Sequence, residues 1–224
     1  MGNNTLRPKD AATLALLRWE GDDLCVLMGQ RGKDQAFMPE RYVFPGGGVE
    51  ICDRYVKPCG ELTPNVLSRL VRSCTAGRAR SLAAAAIRET FEETGLMLSD
   101  YSDVAPSDVR SEWSGFHEQG LAPALHKLDY IFRAVTPPGR PRRFNARFFM
   151  AYADKLQGDI RGNGELNNIG WIPLSDALKM PIPHITGIVL REIQKIVVDP
   201  SPRDQIADTP YFHKVGSKYR MERE

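Results

Sequence analysis

Apolar residues follow two patterns along this chain. Short continuous apolar runs predict strands, and apolar residues that recur every three or four positions predict helices. Segments 12–19 and 24–30 are β-prone apolar runs. The polar residues 20–23 between them, Glu-Gly-Asp-Asp, are typical of a hairpin turn. We therefore expect a β-hairpin in this region. Further strands are predicted over segments 42–44, 127–135, 147–153 and within 166–173.

Helical periodicity, in which apolar residues recur every three or four positions, predicts helices elsewhere. The clearest lies over residues 81–96, where we expect Ser81 as the N-cap and Gly95 as the glycine that ends the helix. A shorter amphipathic helix is expected to begin near Pro64. The remaining predicted helices cover segments 108–125, 174–180 and 184–198.

Strands mixed with helices in this order predict an α/β (α+β) architecture, in which helices sandwich a mixed β-sheet. A chain of 224 residues is long enough to bury a sizeable core and fits one domain with additions. We expect one domain over residues 1–200, with a partly helical insertion at about 54–80. Segment 201–224 is rich in proline and charge and is predicted to be an extended C-terminal tail.

Composition excludes several classes of partner. Hydrophobic residues make up 42% and charged residues 26% of the chain, as in ordinary globular proteins. A net charge of +2 is too small to make nucleic acid or an anionic membrane the main partner. No apolar run approaches the roughly 18 residues of a membrane span. We therefore expect no membrane partner, and composition gives no reason to expect nucleic acid as the main partner.

Basic and acidic residues nearly balance over the whole chain, but not in segment 54–80, which holds six basic residues and one acid. A solvated helix face explains such a composition. The alternatives are a lid over a site, a homodimer surface, or RNA binding.

Cysteine and histidine spacing gives no sign of a zinc site or a disulfide framework. The four cysteines form no CxxC pair, and the four histidines are scattered along the chain. The N-terminal segment also lacks the apolar stretch of a secretory signal. We therefore expect reduced thiols and a cytoplasmic location.

Three carboxylates, Glu89, Glu92 and Glu93, crowd the end of the predicted helix. Their i, i+3, i+4 spacing places them within an arc of roughly 100° on one helix face, where like charges repel. The helix end at Gly95 also puts them at the negative pole of the helix dipole. Such a group either forms a solvated acidic face or binds a cation, and a hard divalent ion such as Mg²⁺ suits carboxylate oxygens.

Residues 88–96, RETFEETGL, match the core of the Nudix box, R-E-U-x-E-E-x-G-U, where U is a bulky apolar residue. Only Thr90 departs, at the first U. The FPGG turn of residues 44–47 resembles the glycine turn that opens the same motif. The chain is thus similar to Nudix hydrolases, and the resemblance implies the Nudix fold and metal-dependent hydrolysis of nucleoside-diphosphate-linked substrates.

The box is interrupted, and this interruption narrows the resemblance to one branch of the Nudix hydrolases. Asp53 stands where the box has glutamate, and residues 54–87 separate it from Arg88 where the box has only seven residues. A box split in this way resembles the coenzyme A diphosphatases of animal peroxisomes and mitochondria. The resemblance implies hydrolysis of coenzyme A or acyl-coenzyme A to 3′,5′-ADP and (acyl-)4′-phosphopantetheine. The alternatives are ADP-ribose, NADH or another nucleotide diphosphate, and a non-catalytic regulatory Nudix domain.

A separate coenzyme A signature, known upstream of the box in other Nudix enzymes, is matched in part. Leu27 and Arg31 have the expected distance from the FPGG turn, whereas Gly32 stands at a Ser/Ala position. Ala36 replaces the second arginine, and Glu40 replaces a glycine. The spacing is therefore kept, but one anion-binding side chain is lost.

By resemblance, Glu89, Glu92 and Glu93 hold the divalent metal, Mg²⁺ or Mn²⁺, and Glu89 also acts as a base toward water. Arg88 is expected to orient a glutamate through an ion pair. The Gly46–Gly48 loop is expected to offer backbone groups to a metal or a substrate phosphate, with Gly47 a candidate for both, and the alternative is a plain tight turn.

Each of the remaining candidate residues has two explanations, one as part of the site and one as an ordinary structural residue. Glu165, in the GNGE loop, either brings another acid to the metal or is a solvated loop residue. Asp53 either replaces the box glutamate or belongs to the insertion. Gly46 and three arginines are candidates for binding substrate phosphates, against the alternative of turn residues exposed to solvent. These arginines are Arg31, Arg142 and Arg143.

Overall fold

The computed structural model describes residues 6–35, 38–105, 110–153, 156–200, 202 and 205–224. Its strands are β1 (Lys9–Glu20), β2 (Asp23–Arg31), β3 (Tyr42–Val43), β4 (Gly46–Gly48), β5 (Ser99–Tyr101), β6 (Leu121–Pro123), β7 (Asp129–Val135), β8 (Phe144–Tyr152), β9 (Leu166–Pro173), β10 (Pro210–Val215) and β11 (Lys218–Arg223). Its helices are α1 (Pro64–Leu70), α2 (Ala76–Thr94), α3 (Ser111–His117), α4 (Leu174–Ala177) and α5 (His184–Val198). Across these described ranges, no helix combines the length and the apolar character needed to cross a bilayer.

Nine of the described strands form one mixed sheet in the order β11-β10-β7-β8-β1-β2-β3, with β4 paired to β1 and β9 paired to β2. β1 lies inside this sheet, parallel to β8 and antiparallel to β2. The hairpin predicted over residues 12–30 is therefore present as β1 and β2. β5 and β6 form a separate antiparallel ribbon.

β1 is buried on both faces, which explains its continuous apolar sequence. Leu14 and Leu16 lie in a core shared with α1, α2 and α3. Ala15 and Leu17 lie in a second core shared with α4 and α5. Because helices cover both faces of a mixed sheet, the predicted α/β sandwich is confirmed.

α2 begins earlier than predicted. Thr75, and not Ser81, is the N-cap, and its hydroxyl accepts the N–H of Arg78 at 3.3 Å. Ser81 lies inside the helix, where its hydroxyl donates to the carbonyl one turn earlier at 2.9 Å. The expectation was wrong because the five preceding residues, AGRAR, continue the helix. The helix end is confirmed, since Gly95 adopts the left-handed conformation with φ of 78°.

The helix predicted over residues 108–125 is present only in part. α3 is followed by β6 and by a 3-10 turn at Leu125–Lys127. Asp108 lies outside the described residues. Trp113 and Phe116 are buried with their ring centroids 5.5 Å apart, so the predicted apolar face exists on the shorter helix.

Segment 201–224, predicted to be an extended tail, instead adds two strands to the sheet. β10 pairs in parallel with β7, and β11 pairs with β10 as a hairpin. Side chains hold this edge as well, since Arg133 of β7 forms an ion pair with Glu224 at 2.6 Å. The charged composition reflects the position of β11 at a sheet edge, where all six of its residues are exposed.

The inserted segment 54–80 contributes to the core. Val66 and Leu70 of α1 are buried in the first core. Between them, Arg69 is 1% exposed. Its guanidinium forms an ion pair with Asp129 at 3.3 Å and donates to the carbonyl of Tyr130. Arg69 therefore fastens the insertion to β7.

Acidic partners neutralise much of the basic charge in this segment. Arg78 pairs with Asp10 at 2.7 Å, and Arg80 pairs with Glu61 at 2.9 Å. Arg69 points into the protein interior. The insertion therefore presents less free positive charge than its sequence indicates, which weakens the RNA-binding alternative.

We expect Arg69→Ala to lower the free energy of unfolding by about 3–5 kcal/mol, because it removes the cation from a buried ion pair. Arg72→Ala is the matched control, since Arg72 is an exposed arginine just after the same helix and its loss should change stability by less than about 0.5 kcal/mol. Urea unfolding followed by circular dichroism measures both. Equal stability of the two variants would show that Arg69 does not fasten the insertion.

Candidate active site

β4 brings the glycine turn against the end of α2. β4 pairs antiparallel with β1, and the N–H of Gly46 donates to Oε2 of Glu93 at 2.9 Å. A Cβ atom at Gly47 would lie 2.4 Å from the carboxylate carbon of Glu89. Glycine at this position therefore lets the Glu89 carboxylate pack directly on the turn.

Arg88 is the buried centre of the carboxylate group. Its Nη1 donates to Oε2 of Glu92 at 2.9 Å and lies 3.1 Å from Oε1 of Glu89. Its Nη2 donates to the carbonyl of Gly48 at 2.9 Å, and its Nε donates to Asp53 at 2.9 Å. One arginine thus fixes two of the three predicted metal ligands through charge-assisted bonds.

Asp53 anchors Arg88. Burial is the largest cause of the raised pKa values of Glu89 and Glu92, and the charge of Asp53 also helps to raise them. It is fully buried in a single 3-10 turn, Cys52–Tyr55, that opens the insertion. One of its carboxylate oxygens accepts Nε of Arg88 at 2.9 Å, and the other accepts the N–H of Glu50 at 2.8 Å. Asp53 therefore starts the insertion and, at the same time, contacts the arginine of the site.

Burial makes the ionised form of all three glutamates costly, and it raises the pKa of each of them. Burial raises the pKa of Glu93 to about 8, although a hydrogen bond from Gly46 opposes the shift. Burial raises the pKa of Glu89 to about 7, against the opposing charge of Arg88. Burial also raises the pKa of Glu92. A group of oxygen ligands in this state fits a hard divalent cation such as Mg²⁺, which supplies positive charge.

Glu165 and Arg31 both act on this group. Burial is the largest influence on the pKa of Glu93, but the charge of Glu165 also raises it and the charge of Arg31 lowers it. Glu165 is exposed in the loop before β9. Arg31 donates from Nη2 to Gln35 at 3.2 Å, while its buried Nε has no hydrogen-bond partner among the described residues. The charges of both residues therefore influence Glu93, and their roles at the metal and the substrate stay predictions.

Arg142 and Arg143 immediately precede β8. Arg143 donates to the carbonyl of Thr136 at 3.1 Å, and its own carbonyl accepts the first N–H of β1 at 2.9 Å. Near this end of β1, Asp10 pairs with Arg78 in the first turn of α2. Arg142 is exposed in the turn before β8. The structure shows no contact of these two arginines with the glutamates within the described residues, and their binding of a substrate phosphate stays a prediction.

Sequence reasoning named Gly48 only as part of the glycine loop, and it missed Glu50. The carbonyl of Gly48 is one of the groups that fix Arg88. Burial is the largest cause of the raised pKa of Glu92, and the charge of Glu50 adds to it. Both residues continue the glycine turn, so an acid two positions after three glycines was the available signal.

A family model described as NUDIX domain matches residues 7–192 of this chain. A Caenorhabditis elegans relative that carries the name nudix hydrolase 7 is 25% identical over 158 residues, which are 66% of this chain and 46% of that protein. The chain therefore spans about half the length of this curated relative.

Solved structures share the fold. A NUDIX hydrolase from Alicyclobacillus acidocaldarius matches with a TM-score of 0.62 and 28% identity, over 83% of this chain and 90% of that chain. The NUDIX domain of Shewanella oneidensis NrtR, complexed with ADP ribose, matches with a TM-score of 0.50 and 13% identity, over 86% and 90%. The first similarity extends to the sequence, whereas the second shows the fold alone.

Gly47→Ala is expected to weaken Mg²⁺ binding by about 10–100-fold, the range observed when groups that orient metal ligands are lost. The added methyl group would displace the Glu89 carboxylate. Gly48→Ala is the matched control, because a Cβ there meets nothing within 4 Å. Isothermal titration calorimetry measures both affinities. Equal weakening in the two variants would contradict the specific contact between Gly47 and Glu89.

Mg²⁺ binding is expected to strengthen as the pH rises from about 6 to about 9, because the ion must displace protons from the glutamates. The pKa of Glu89 is about 7 and that of Glu93 is about 8. Without metal, rising pH has the opposite effect on the stability of the fold. The folded state then holds protons that the unfolded glutamates release, so the free energy of unfolding falls as the pH rises from about 5 to about 8.

Calorimetry at constant ionic strength measures the affinity, and urea unfolding in a chelator measures the stability. An affinity for Mg²⁺ that does not change with pH would contradict the raised pKa values of the two glutamates.

Proposed function

This chain belongs to the Nudix family, and we propose that it is a metal-dependent diphosphatase. In this reaction water attacks one phosphorus of a nucleoside-diphosphate-linked substrate, and the phosphoanhydride bond breaks. The observation that carries the proposal is the group of three glutamates held by one buried arginine and one glycine turn. A solvated acidic face would leave all three side chains in water. Here the Glu92 side chain is 40% exposed, but Glu93 is 3% exposed and the side chain of Glu89 is 13% exposed.

Glu89, Glu92 and Glu93 hold Mg²⁺ or Mn²⁺ in this proposal, and Glu165 and the backbone of Gly47 are its further ligands. A bound divalent metal neutralises the charge of the diphosphate and orients the attacking water. The effect of Glu165 on the pKa of Glu93 supports its inclusion, because that charge acts on the same group.

Glu89 is our candidate for the group that takes a proton from the attacking water. The family resemblance implies this role, and the Glu89 carboxylate lies inside the glutamate group, against Gly47 and 3.1 Å from Nη1 of Arg88. Arg88 is a positioning residue, because its side chain is 2% exposed and is fully engaged with carboxylates and the turn. It therefore acts through Glu89 and Glu92 and does not contact the substrate.

Arg31 is our candidate for binding a substrate phosphate. Its guanidinium acts on Glu93 and retains a buried Nε that is not engaged within the described residues. Arginine suits this task because its planar group binds phosphate oxygens in pairs. Gly46 has a different role in the proposal, since its N–H already donates to Glu93 and so positions a metal ligand.

Coenzyme A or an acyl derivative is the substrate that we propose, cleaved to 3′,5′-ADP and (acyl-)4′-phosphopantetheine. The interrupted box and the spacing of Leu27 and Arg31 support it by resemblance. Glu40 adds support, because it stands where the coenzyme A signature has glycine and adopts a φ of 57°, a region that glycine favours. ADP-ribose is the runner-up, and the similar NrtR domain was solved with that ligand.

We further propose a cytoplasmic location, and a homodimer remains an open alternative. Cell fractionation tests the first, and light scattering of the purified chain tests the second. Neither affects the assignment of the reaction.

Purified chain with Mg²⁺ is expected to hydrolyse coenzyme A faster than ADP-ribose, NADH or a nucleoside triphosphate, with products identified by mass spectrometry. Glu92→Gln should lower kcat/KM by more than about 100-fold, because losing even an outer partner of a metal ligand costs about 10–100-fold. Glu118→Gln is the control, since Glu118 is an exposed glutamate outside the site, and it should leave kcat/KM unchanged.

Each component of the proposal can fail separately. Rapid hydrolysis of ADP-ribose without turnover of coenzyme A would overturn the substrate and keep the reaction. Unchanged activity of Glu92→Gln would overturn its role at the metal. Nucleotide binding without hydrolysis of any substrate would favour a regulatory domain.

A further inference from the structure

Three side chains of metal-binding type converge beside the β5–β6 ribbon, outside the glutamate group. They are Cys59 in the insertion, Asp100 in β5, and His126 in the 3-10 turn after β6. One ligand atom from each lies within 4.8 Å of the others. All three are at least partly accessible to solvent, so an ion can reach them.

The backbone holds these three segments together. The N–H of Cys59 donates to the carbonyl of Pro123 at 3.2 Å, and Gly60 forms a parallel bridge with Ala124. The thiol of Cys59 itself is directed at the carbonyl of Ala122, with a distance of 3.3 Å. The position of the sulfur next to the ribbon is therefore fixed by main-chain contacts on both sides.

Gly60 makes room for the imidazole of His126. A Cβ atom at residue 60 would lie 2.2 Å from Nδ1 of His126, closer than any real contact allows. The ring could not adopt this position beside any other residue without a shift. A glycine next to Cys59 is thus what lets His126 approach the sulfur and the carboxylate.

Asp100 has one oxygen available to a cation. Lys127 forms an ion pair with Oδ1 and also donates to the carbonyl of Ser99 at 3.2 Å, which fixes the carboxylate. The other oxygen, Oδ2, lies 3.3 Å from Nε2 of His126. Ligand atoms at about 2.0–2.3 Å from a tetrahedral ion are separated by roughly 3.3–3.8 Å, so this pair already has the required spacing.

We propose that Cys59, Asp100 and His126 form a second metal site, which binds Zn²⁺ through one sulfur, one oxygen and one nitrogen with water as the fourth ligand. This donor set is typical of zinc, whereas Mg²⁺ prefers oxygen ligands alone. On binding, the S–H bond of Cys59 breaks, its proton passes to solvent, and a sulfur–zinc bond forms without any change in oxidation state.

The site joins the insertion to the rest of the fold. Cys59 belongs to the segment that interrupts the box, while Asp100 and His126 follow α2 in the chain. Zinc therefore adds a cross-link between the insertion and the β5–β6 ribbon, in addition to Arg69. The sequence predicted no zinc site, because the three ligands have no short spacing in the chain. This proposal revises that prediction.

Cobalt substitution provides the direct test. With excess Mg²⁺ present to fill the glutamate group, Co²⁺ added to the full chain should produce a thiolate-to-cobalt charge-transfer band in the near ultraviolet. Zn²⁺ should displace the cobalt and remove the band. Cys59→Ser should abolish the band, while Cys74→Ser should retain it, since Cys74 is another partly buried free cysteine whose thiol donates to Leu70 at 3.3 Å. No band from the wild-type chain would overturn the proposal.

Alkylation gives an independent readout that needs no variant. Zn²⁺ at about ten times its dissociation constant should slow iodoacetamide labelling of Cys59 by about tenfold, because only the metal-free fraction reacts. Peptide mass spectrometry compares this rate with that of Cys74, which should not change. Equal rates for Cys59 with and without Zn²⁺ would overturn the site, even if Cys59→Ser failed to fold.

These tests of the zinc site do not depend on the proposed diphosphatase reaction. Zinc protection of Cys59 in a chain that hydrolyses no diphosphate would support this site and count against the proposed function. A different result would overturn the second site. If the Glu92→Gln variant no longer bound Zn²⁺, and Zn²⁺ did not protect Cys59 from alkylation, all zinc binding would be assigned to the glutamates.

Discussion

The candidate site depends on one buried charge, the guanidinium of Arg88. The end of a helix is negative because its last carbonyls lack partners, and α2 places three carboxylates there. Arg88 meets two of them and is itself fixed by Asp53 and the carbonyl of Gly48. The third, Glu93, instead accepts the N–H of Gly46, and burial raises the pKa of its carboxyl to about 8. A bound cation would favour the ionised form of this carboxyl.

The insertion leaves this arrangement intact because both of its ends are tied to it. The chain departs just after Asp53, which contacts Arg88, and it has returned by Arg78, which pairs with Asp10 of β1. Between these points, Arg69 fastens α1 to β7. The entropy cost of closing a loop grows slowly with its length. A motif can therefore be split in sequence while its glycine turn and its glutamates stay in contact.

The sequence predicted those features whose signals are local. Continuous apolar runs on either side of a polar turn predicted β1 and β2, and charge spacing with a terminal glycine predicted the glutamate group on α2. Other features depend on contacts between distant segments. The pairing of β10 with β7 requires the finished sheet. The partner of Asp53 lies beyond the whole insertion, and the role of Arg143 follows from the carbonyls that happen to surround it. No local pattern encodes such contacts.

Two groups of metal-binding side chains in one small domain need not compete, because their donor atoms differ. The end of α2 offers carboxylate oxygens, which suit Mg²⁺, whereas Cys59 and His126 offer sulfur and nitrogen. Sulfur and nitrogen donors discriminate strongly against Mg²⁺, so abundant Mg²⁺ leaves the second group to zinc. The same segment that separates the glycine turn from the glutamates therefore carries a ligand of its own. Zinc would then reinforce the docking that Arg69 and the α1 core already provide, while the chemistry at α2 would depend on magnesium.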